Sequence, residues 1–392
     1  MIWDKKKILI GVSGSIAAYK SCELVRLFQK KGANVKVIAT PSALEFVGKI
    51  TFQALTGEEV LSEWKDGKTG LEHISLARWP DVFIIAPASA NTIAKIRNGI
   101  ADNFLTSLSL AYDKSIVFAP AMNTKMYTNP ATQENIETLQ NRGHIFVKPA
   151  EGELACGEEG EGKLAELEDI ETVALYAILP KPLKGKKILI TAGGTREYLD
   201  PIRYISNASS GQMGYSLAKI AYALGGDVLL ISAPTYLKKP YGVKKIDVVS
   251  AEEMYKAVME NFENSDIIVM NAAVADFKPK SYSKEKLKKD KEKPVIELEP
   301  NPDILKEIGK KKRENQILIG FAAESQNILE NAQKKLKRKN LDVIIANKVD
   351  VFSKEKHKGV ILFKDGKKID IPEMDKESSA LYIFSKIFME RF

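Results

Sequence analysis

The chain has 392 residues, of which 44% are hydrophobic and 28% are charged, a balance that excludes a wholly disordered protein. No apolar run reaches the roughly 20 residues that a membrane-spanning helix needs, and Met1–Lys7 has no signal-peptide pattern. Two cysteines and three histidines are too few for a disulfide scaffold or a structural zinc site, so we expect a cytoplasmic protein.

The net charge of +8 is unevenly distributed along the chain. Residues 1–183 contain 20 basic and 22 acidic side chains, a net charge of −2, whereas residues 184–392 contain 39 and 29, a net charge of +10. Eight lysines lie in the short segment Lys278–Lys293. A basic domain of this kind binds nucleic acid, an anionic membrane surface or phosphorylated small molecules.

The first half begins with a βαβ pattern. Lys7–Ser13 is a continuous apolar run typical of a buried parallel strand, and a helical pattern follows it up to Lys31. A second strand is predicted at Asn34–Thr40. Further strands are predicted at Val82–Ala86 and Ser115–Ala119, with helical segments between them.

The same pattern begins again in the second half. A strand from Lys186 ends at Gly193-Gly194, and a loop leads into a helix at Ser216–Leu224. Later strands are predicted at residues 227–232, 267–271, 316–321 and 342–346. Two prolines mark Ile178–Lys184 as a linker. We therefore predict two doubly wound α/β domains with mainly parallel sheets, residues 1–183 and 184–392, that bind ligands at the carboxyl ends of their strands.

The glycine-rich turns argue against two common cofactor sites. Neither half contains G-x-G-x-x-G, and no acidic residue ends the second strand of either half, so NAD is not expected. Gly157–Leu164 fits the spacing of a P-loop, but Leu164 replaces the magnesium-binding Ser or Thr and three glutamates would repel phosphate.

Gly14-Ser15 offers a phosphate site at a helix N-terminus, or simply a tight turn. The small polar residues of Pro87–Thr92 suit an uncharged flat ring, which favours a flavin over a nucleoside triphosphate.

A few side chains in the first half could do chemistry. His73 lies on a predicted helix, although a lone histidine is more often structural, and His144 and His357 are expected at the surface. Asn123 follows a strand and can bind a ligand or cap a helix. Cys156 lies in a glycine-rich segment that we expect to form a mobile lid, where its thiol could donate a proton.

Several motifs, taken in chain order, carry a family resemblance. They are Gly14-Ser-Ile-Ala-Ala, His73-Ile-Ser-Leu-Ala-Arg, Pro87-Ala-Ser-Ala-Asn-Thr, Pro120-Ala-Met-Asn-x-x-Met, Gly152-x-Leu-Ala-Cys-Gly-x-x-Gly-x-Gly, Thr191-Ala-Gly-Gly-Thr-Arg-Glu and Tyr204-Ile-Ser-Asn-Ala-Ser-Ser-Gly. The first half resembles the flavin-dependent phosphopantothenoylcysteine decarboxylases, and the second half resembles the phosphopantothenate–cysteine ligases. Over essentially the whole chain, the order is that of the bifunctional enzymes of coenzyme A biosynthesis.

For the first half, the resemblance implies a flavodoxin-like domain that binds FMN. The implied FMN contacts are Gly14, Ser15, Ile16, Thr40, Ser42, Ser89, Ala90, Asn91, Thr92 and Ala121. His73 would act as the base, Asn123 would bind the substrate carboxylate, Cys156 would donate a proton, and Arg78 and Met122 would contact the substrate. FMN would oxidise the substrate thiol so that carbon dioxide can leave, and would be regenerated afterwards.

For the second half, the resemblance implies a Rossmann-like ligase that activates 4'-phosphopantothenate with CTP to an acyl-cytidylate, which cysteine then attacks. The implied nucleotide contacts are Asp276, Asn301, Pro302, Asp303, Ile304, Phe321, Lys335 and Lys339. Arg203 and Asn207 would serve acyl activation and transfer, and Lys286 would close over the site from a flexible loop. Mg²⁺ would accompany the nucleotide, with Asp276 as a candidate ligand. The resemblance also implies a homo-oligomer, with trimers of the first domain and dimers of the second.

Other functions stay open at this point. One is a flavin-binding peptidyl-cysteine decarboxylase of lantibiotic type with an unrelated second domain. Another is a non-catalytic flavin-binding regulator, against which the retained His73, Asn123 and Cys156 argue. A third is a nucleic-acid-binding module in residues 184–392, but its basic runs lack interleaved aromatic residues, so neither nucleic acid nor a membrane is expected as a partner. ATP stays an alternative to CTP, because no residue pattern identifies a group that reads cytosine.

Overall fold

The computed structural model describes residues 1–63, 66, 71–153, 157, 159–287, 295–324, 327–348 and 356–389. The chain divides into two compact units, Met1–Leu179 and Pro180–Phe392. The division falls within Ile178–Lys184, which its two prolines predict to be a linker. Cys156 lies outside the described residues, so the role assigned to it stays a prediction.

The first unit alternates strands and helices along most of its length. Its strands are β1 (Lys7–Val12), β2 (Asn34–Ala39), β3 (Val82–Ala88), β4 (Ile116–Pro120), β5 (Ile145–Phe146), β6 (Ala150–Glu153) and β7 (Glu159–Lys163). Its helices are α1 (Tyr19–Lys30), α2 (Pro41–Leu44), α3 (Lys49–Thr56), α4 (Glu72–Arg78), α5 (Ala90–Asn98), α6 (Phe104–Ala111), α7 (Thr124–Thr128), α8 (Pro130–Asn141) and α9 (Leu167–Ile178). The predicted strands of this half therefore correspond to β1 to β4.

A parallel sheet in the order β2-β1-β3-β4-β5 forms the centre of the first unit. Its strands are apolar because helices cover them, and Leu9, Phe83 and Phe118 pack with Ile93 and Leu105 of the helices. The chain turns back between β1 and β3, so this sheet has a switch point at the carboxyl ends of these two strands. The doubly wound parallel fold predicted for this half is confirmed.

The second unit has a larger sheet and additional hairpins. Its strands are β8 (Lys187–Ala192), β9 (Arg196–Tyr198), β10 (Tyr204–Ser206), β11 (Asp227–Ser232), β12 (Lys244–Asp247), β13 (Ile267–Met270), β14 (Phe277–Pro279), β15 (Leu298–Pro300), β16 (Ile317–Glu324), β17 (Val343–Lys348), β18 (Lys356–Phe363) and β19 (Lys368–Asp375). Its helices are α10 (Gln212–Ala223), α11 (Ala251–Asn261), α12 (Ile304–Lys311), α13 (Ile328–Arg338) and α14 (Lys376–Phe388).

The main sheet of the second unit has the order β12-β11-β8-β13-β16-β17-β18-β19. It is parallel from β12 to β17, as the sequence predicts, whereas β18 and β19 pair antiparallel. The antiparallel hairpins β9–β10 and β14–β15 stand outside this sheet. Among the described residues, no helix is long and apolar enough to cross a membrane.

The surface position predicted for His357 is wrong. His357 is only 3% exposed, its Nδ1 lies 2.6 Å from Ser379 Oγ, and burial lowers the pKa of His357 to about 4. The lysine-rich segment around it is strand β18, in which successive side chains point to opposite faces. Lys356 and Lys358 are therefore exposed while His357 faces the core.

Glu171 joins the start of the chain to helix α9. Its carboxylate is 1% exposed, accepts a hydrogen bond from the indole Nε1 of Trp3, and forms an ion pair of 2.9 Å with Lys31 Nζ. Trp3 also packs edge-on against Phe28, with 5.0 Å between the ring centroids. A buried hydrogen bond to a charged group thus ties α1, α9 and the N-terminal segment together.

We expect Glu171→Ala to lower the free energy of unfolding of the first unit by about 2–3 kcal/mol, because the buried indole N–H loses its charged acceptor. Tryptophan fluorescence in a urea titration reports on this unit, since all three tryptophans lie within residues 1–183. Glu168→Ala, at an exposed position of the same helix, should change the free energy by less than about 0.5 kcal/mol. Equal unfolding midpoints for the two variants would contradict the role of Glu171.

Candidate functional site

A cleft of about 880 Å³ opens at the switch point of the first unit, a volume within the usual range for small-molecule and cofactor sites. It is lined by the segments that directly follow β1, β2, β3 and β4. All of the predicted FMN contacts line it, namely Gly14, Ser15, Ile16, Thr40, Ser42, Ser89, Ala90, Asn91, Thr92 and Ala121. Met122 and Asn123, predicted to contact the substrate, line the same cleft.

Capped helical N-termini surround this cleft. In each of four caps, a side-chain oxygen accepts a hydrogen bond from a backbone N–H group of the first turn. The caps are Ser15 with Ala17 N (3.3 Å), Thr40 with Ala43 N (3.2 Å), Ser89 with Thr92 N (3.3 Å) and Asn123 with Lys125 N (2.8 Å). The caps fix the helix ends, whose backbone N–H groups carry partial positive charge. Backbone N–H groups of this kind can donate hydrogen bonds to an anionic group.

Ser13 joins the two strands at the switch point. It is fully buried, its Oγ donates to Pro87 O at 2.7 Å, and the same Oγ accepts from Ser89 N at 2.8 Å. The following residue must be glycine, because a Cβ on Gly14 would lie 2.7 Å from Ser42 Cβ. The loops after β1, β2 and β3 are thus held at fixed distances from one another.

The hairpin β6–β7 packs against the loop that carries Asn123. Met122 N donates to Gly162 O at 2.9 Å, and a Cβ on Gly162 would lie 2.3 Å from Met122 O. A Cβ on Gly160 would similarly lie 2.7 Å from Thr124 Oγ1. Cys156 lies outside the described residues, and in the sequence it falls between the ends of β6 and β7.

The charged residues that line the cleft carry no motif that identifies them in the sequence. They are Lys20, Lys95, Asp102, Glu153 and Lys163. Lys95 Nζ pairs with Asp102 Oδ2 at 2.5 Å, and this bond holds the pKa of Asp102 below its usual value. Analysis of strand ends could not find these residues, because they belong to helices, a helix connection and the hairpin.

His73 and Arg78 are not among the residues that line the cleft of their own chain. Both lie on α4, which ends shortly before β3 begins. The α4–β3 connection lies near the amino ends of the strands, since Asp81 N donates to Lys7 O at the start of β1. Arg78, the last residue of α4, therefore lies towards the edge of the sheet opposite the cleft.

In the second unit, several predicted residues meet at the carboxyl ends of β8 and β13. Asn207 Nδ2 donates to Ala273 O at 3.2 Å and to Val274 O at 3.1 Å. Asn301 Nδ2 donates to Ala275 O at 2.9 Å. Asn207 and Asn301 therefore hold the segment that leads to the exposed Asp276.

A second group of predicted residues lies around the start of α12. Lys339 Nζ forms an ion pair of 2.9 Å with Asp303, which also caps α12, and Lys335 Nζ donates to Phe321 O at 3.0 Å. Pro302 precedes this cap. Ile304 is 3% exposed and packs in the core, so its side chain contributes to the fold rather than to an open surface.

Asp200 connects Arg203 to the segment that carries Lys286. It is buried, its Oδ2 lies 3.0 Å from Arg203 Nε, and it accepts a hydrogen bond from Leu287 N at 3.2 Å. Burial alone would raise the pKa of Asp200, but hydrogen bonds from the backbone N–H groups of Ile202, Arg203 and Leu287 hold it below its usual value. Asp200 thus stays ionised and keeps these basic segments together.

The described residues contain no group of three or more His, Cys, Asp or Glu side chains that could hold a metal ion. Asp276 is therefore a single carboxylate rather than part of a preformed metal cluster. A divalent cation at this edge of the sheet would need further ligands from a bound phosphate group.

Together, the fold and the cleft define a two-domain α/β protein, with a flavodoxin-like first domain and a Rossmann-like second domain. The family model described as Flavoprotein matches residues 3–177, and that of the DNA/pantothenate metabolism flavoprotein C-terminal domain matches residues 183–390. The coenzyme A biosynthesis bifunctional protein CoaBC of Bacillus subtilis (strain 168) is 45% identical over 98% of this chain and 97% of its own length.

The corresponding protein of Vibrio cholerae serotype O1 (strain ATCC 39315 / El Tor Inaba N16961) is 43% identical over 96% of both chains. A solved C-terminal domain of a CoaBC protein is 42% identical and covers 54% of this chain and 98% of its own, with a TM-score of 0.47. The chain belongs to the family of coenzyme A biosynthesis bifunctional proteins. This membership confirms the expected bifunctional enzyme with decarboxylase and ligase activities, and it does not support an unrelated second domain or a regulator.

We expect Gly162→Ala to separate the hairpin from the Asn123 loop, because the added methyl group would meet Met122 O. Overpacking of this kind costs about 1–3 kcal/mol, so hydrogen–deuterium exchange in residues 121–128 should accelerate by about tenfold. Gly152→Ala is the matched control, since Gly152 lies in the same hairpin with a positive φ but has open space around it. The same exchange rate in both variants would show that the close approach of Gly162 is unimportant.

Proposed function

We propose that the chain makes 4'-phosphopantetheine in two steps. Residues 184–392 condense 4'-phosphopantothenate with cysteine, using CTP and an acyl-cytidylate intermediate, and residues 1–183 decarboxylate the product with FMN. The single observation that carries this proposal is the cleft that gathers all the predicted FMN contacts at a switch point. Family membership supports the combination of the two activities. A cytoplasmic location is part of the proposal, because the thiol of Cys156 must stay reduced.

The residues of the cleft fit FMN in size and in chemistry. Ser15, Thr40 and Ser89, with the backbone N–H groups of their helix ends, are suited to the phosphate group. Gly14 and Ala121 allow a flat ring to approach the backbone closely. When bound, FMN supplies a two-electron acceptor that oxidises the cysteine thiol to a thioaldehyde and returns the electrons after carbon dioxide has left.

Asn123 and Cys156 act on the substrate in this proposal. Asn123 Oδ1 caps α7, and we assign the Nδ2 donor of the same side chain to the substrate carboxylate. Met122 contacts the substrate beside it. Cys156 donates a proton to carbon from the connection between β6 and β7, after carbon dioxide has left.

We place His73 and Arg78 in the cleft of a neighbouring copy of the chain. Ile74 of their helix α4 is 38% exposed, Leu71 directly before the helix is 60% exposed, and Ile16 at the rim of the cleft is 59% exposed. Assembly would cover these apolar surfaces, which favours the proposed trimer of first domains. We propose dimers of the second domain as well, since Ile202 and Phe277 are among its exposed apolar side chains.

The ligase half must bind two polyanionic substrates, which gives its net charge of +10 a function. We assign the triphosphate of CTP to Lys286, Lys335 and Lys339, and acyl activation and transfer to Arg203 and Asn207. We assign the nucleotide's other contacts to Asp276, Asn301, Pro302, Asp303 and Phe321, and to the backbone of Ile304, whose side chain is buried in the core. Mg²⁺ is typically held by one or two carboxylates together with substrate phosphates, so the single Asp276 carboxylate fits a metal that arrives with the nucleotide.

One assay tests both steps. The purified full chain is mixed with 4'-phosphopantothenate, cysteine, Mg²⁺ and CTP, and the release of pyrophosphate and carbon dioxide is followed, with ATP as a parallel arm. Pyrophosphate without carbon dioxide would overturn the decarboxylase step, and neither product would overturn the whole proposal. A colourless protein, with no flavin absorbance, would argue against FMN.

We expect His73→Asn and Asn123→Asp each to abolish carbon dioxide release, and mixed oligomers of the two variants to regain part of it. The physical reason is that an oligomer combines an intact His73 from one copy with an intact Asn123 cleft from another. The two variants are co-expressed with different tags, purified through both, and assayed with 4'-phosphopantothenoylcysteine. Inactive mixed oligomers would contradict the placement of His73 in a neighbouring cleft.

We expect Lys286→Gln to slow CTP-dependent pyrophosphate release by about 10²–10³-fold, because the variant loses a cation near the charge that develops on phosphorus. Carbon dioxide release from supplied 4'-phosphopantothenoylcysteine should stay unchanged. Lys284→Gln, in the same exposed segment, is the control and should retain near-normal ligase rates. Equal effects of the two substitutions would mean that only the general charge of the segment matters.

A further inference from the structure

The segment Asn271–Asp276 in the second unit is a loop in which many backbone N–H and C=O groups are hydrogen-bonded to side chains. It follows β13 and ends at Asp276, whose side chain is exposed. Loop backbone on a protein surface usually forms hydrogen bonds with water. Here, side chains from other parts of the unit bind successive backbone groups of the segment.

Two buried threonines hold the backbone N–H groups. Thr191 Oγ1 accepts from both Asn271 N and Ala272 N, each at 3.1 Å. Thr195 Oγ1 accepts from Ala275 N at 2.9 Å. Both threonines are 0% exposed, so neither hydroxyl reaches solvent or the surface of a ligand.

The carbonyl side of the segment is held by residues already assigned to the site. Asn207 Nδ2 binds the carbonyls of Ala273 and Val274, and Asn301 Nδ2 binds that of Ala275. Asn301 N also donates to Asp276 O at 2.8 Å. The peptide groups on either side of Ala275 are therefore fixed by Thr195 on one side and by Asn301 on the other.

We infer that Thr195, assisted by Thr191, is a positioning residue of the ligase: its hydroxyl fixes Ala275 and thereby sets the position of the Asp276 carboxylate relative to Asn207. The inference rests on the proposed function, in which Asp276 binds the nucleotide and its Mg²⁺. It goes beyond that function because neither threonine touches a substrate. A misplacement of about 1 Å in a site of this kind costs on the order of 10²-fold in rate, so one hydrogen bond can control the reaction.

Thr195→Val tests this inference, because valine keeps the shape of threonine but cannot accept a hydrogen bond from Ala275 N. Thr195→Ser keeps the acceptor. Ser265→Ala is the matched control: Ser265 is a 6% exposed hydroxyl of the same unit, bonded to Asn261 O at 3.0 Å, and it precedes the opposite end of β13. The full chain is assayed for pyrophosphate release against CTP concentration, for thermal unfolding, and for carbon dioxide release from 4'-phosphopantothenoylcysteine.

The expected result is that Thr195→Val lowers kcat/KM for CTP by about 10–100-fold, mainly through KM, and leaves carbon dioxide release unchanged. Thr195→Ser should restore kcat/KM to within about threefold of the parent chain, and Ser265→Ala should reduce thermal stability without changing KM. If Thr195→Val fails to fold, Thr191→Val takes its place, with the same expected direction.

Unchanged kinetics in the valine variant, or the same loss of kcat/KM in Ser265→Ala, would overturn the inference and leave Thr195 with a purely structural role. A parent chain that releases no pyrophosphate with CTP or ATP would instead overturn the ligase assignment, and the inference with it. The parent chain is measured first, so the two failures are distinguishable.

Discussion

The ends of parallel strands set the main physical constraint on this protein. Where a strand leaves its sheet, the ladder of hydrogen bonds stops, and the N–H and C=O groups beyond it need other partners if they are buried. Short hydroxyl and amide side chains provide these partners in both units. Ser13 bridges the ends of β1 and β3 in the first unit, and Thr191 and Thr195 hold the segment after β13 in the second.

The same constraint explains why both sites are polar but have few charges at the strand ends. A serine, threonine or asparagine can satisfy a backbone group at close range without the desolvation cost of a buried charge. Glycine complements them where backbones meet, as at Gly14 against Ser42 and at Gly194, whose Cβ would lie 2.7 Å from Asn207 O. The backbone conformation that places the ligand-binding groups is therefore built into the free protein, which limits the ordering needed on binding.

The strands could be predicted because each buried parallel strand is a local apolar run, and the cleft could be predicted because carboxyl ends of such strands meet at one edge. Neither rule applies to elements that depend on distant pairing. Strand β18 alternates lysines with less exposed residues at its start, and a lysine-rich segment of this kind predicts a surface position for His357, which is buried instead. Lys20, Lys95 and Lys163 reach the cleft from two helices and a hairpin, and only the three-dimensional packing brings them there. That the described lining of the cleft does not include His73 of the same chain likewise depends on packing, which a motif does not contain.

The charge of the second unit acts through a few placed groups rather than through its total. Several lysines have local carboxylate partners: Lys312 pairs with Asp342 and Lys339 with Asp303. Asp200 does something different, because its buried carboxylate is held ionised by backbone N–H groups while it orients Arg203, whose side chain remains 47% exposed. An acidic residue thus fixes a basic one at the surface, and through Leu287 it also holds the segment of Lys286. In the proposed ligase site, which binds two polyanions, an oriented cation with half its surface open contributes more than a larger number of lysines without a fixed position, since it needs no further ordering when the substrate binds.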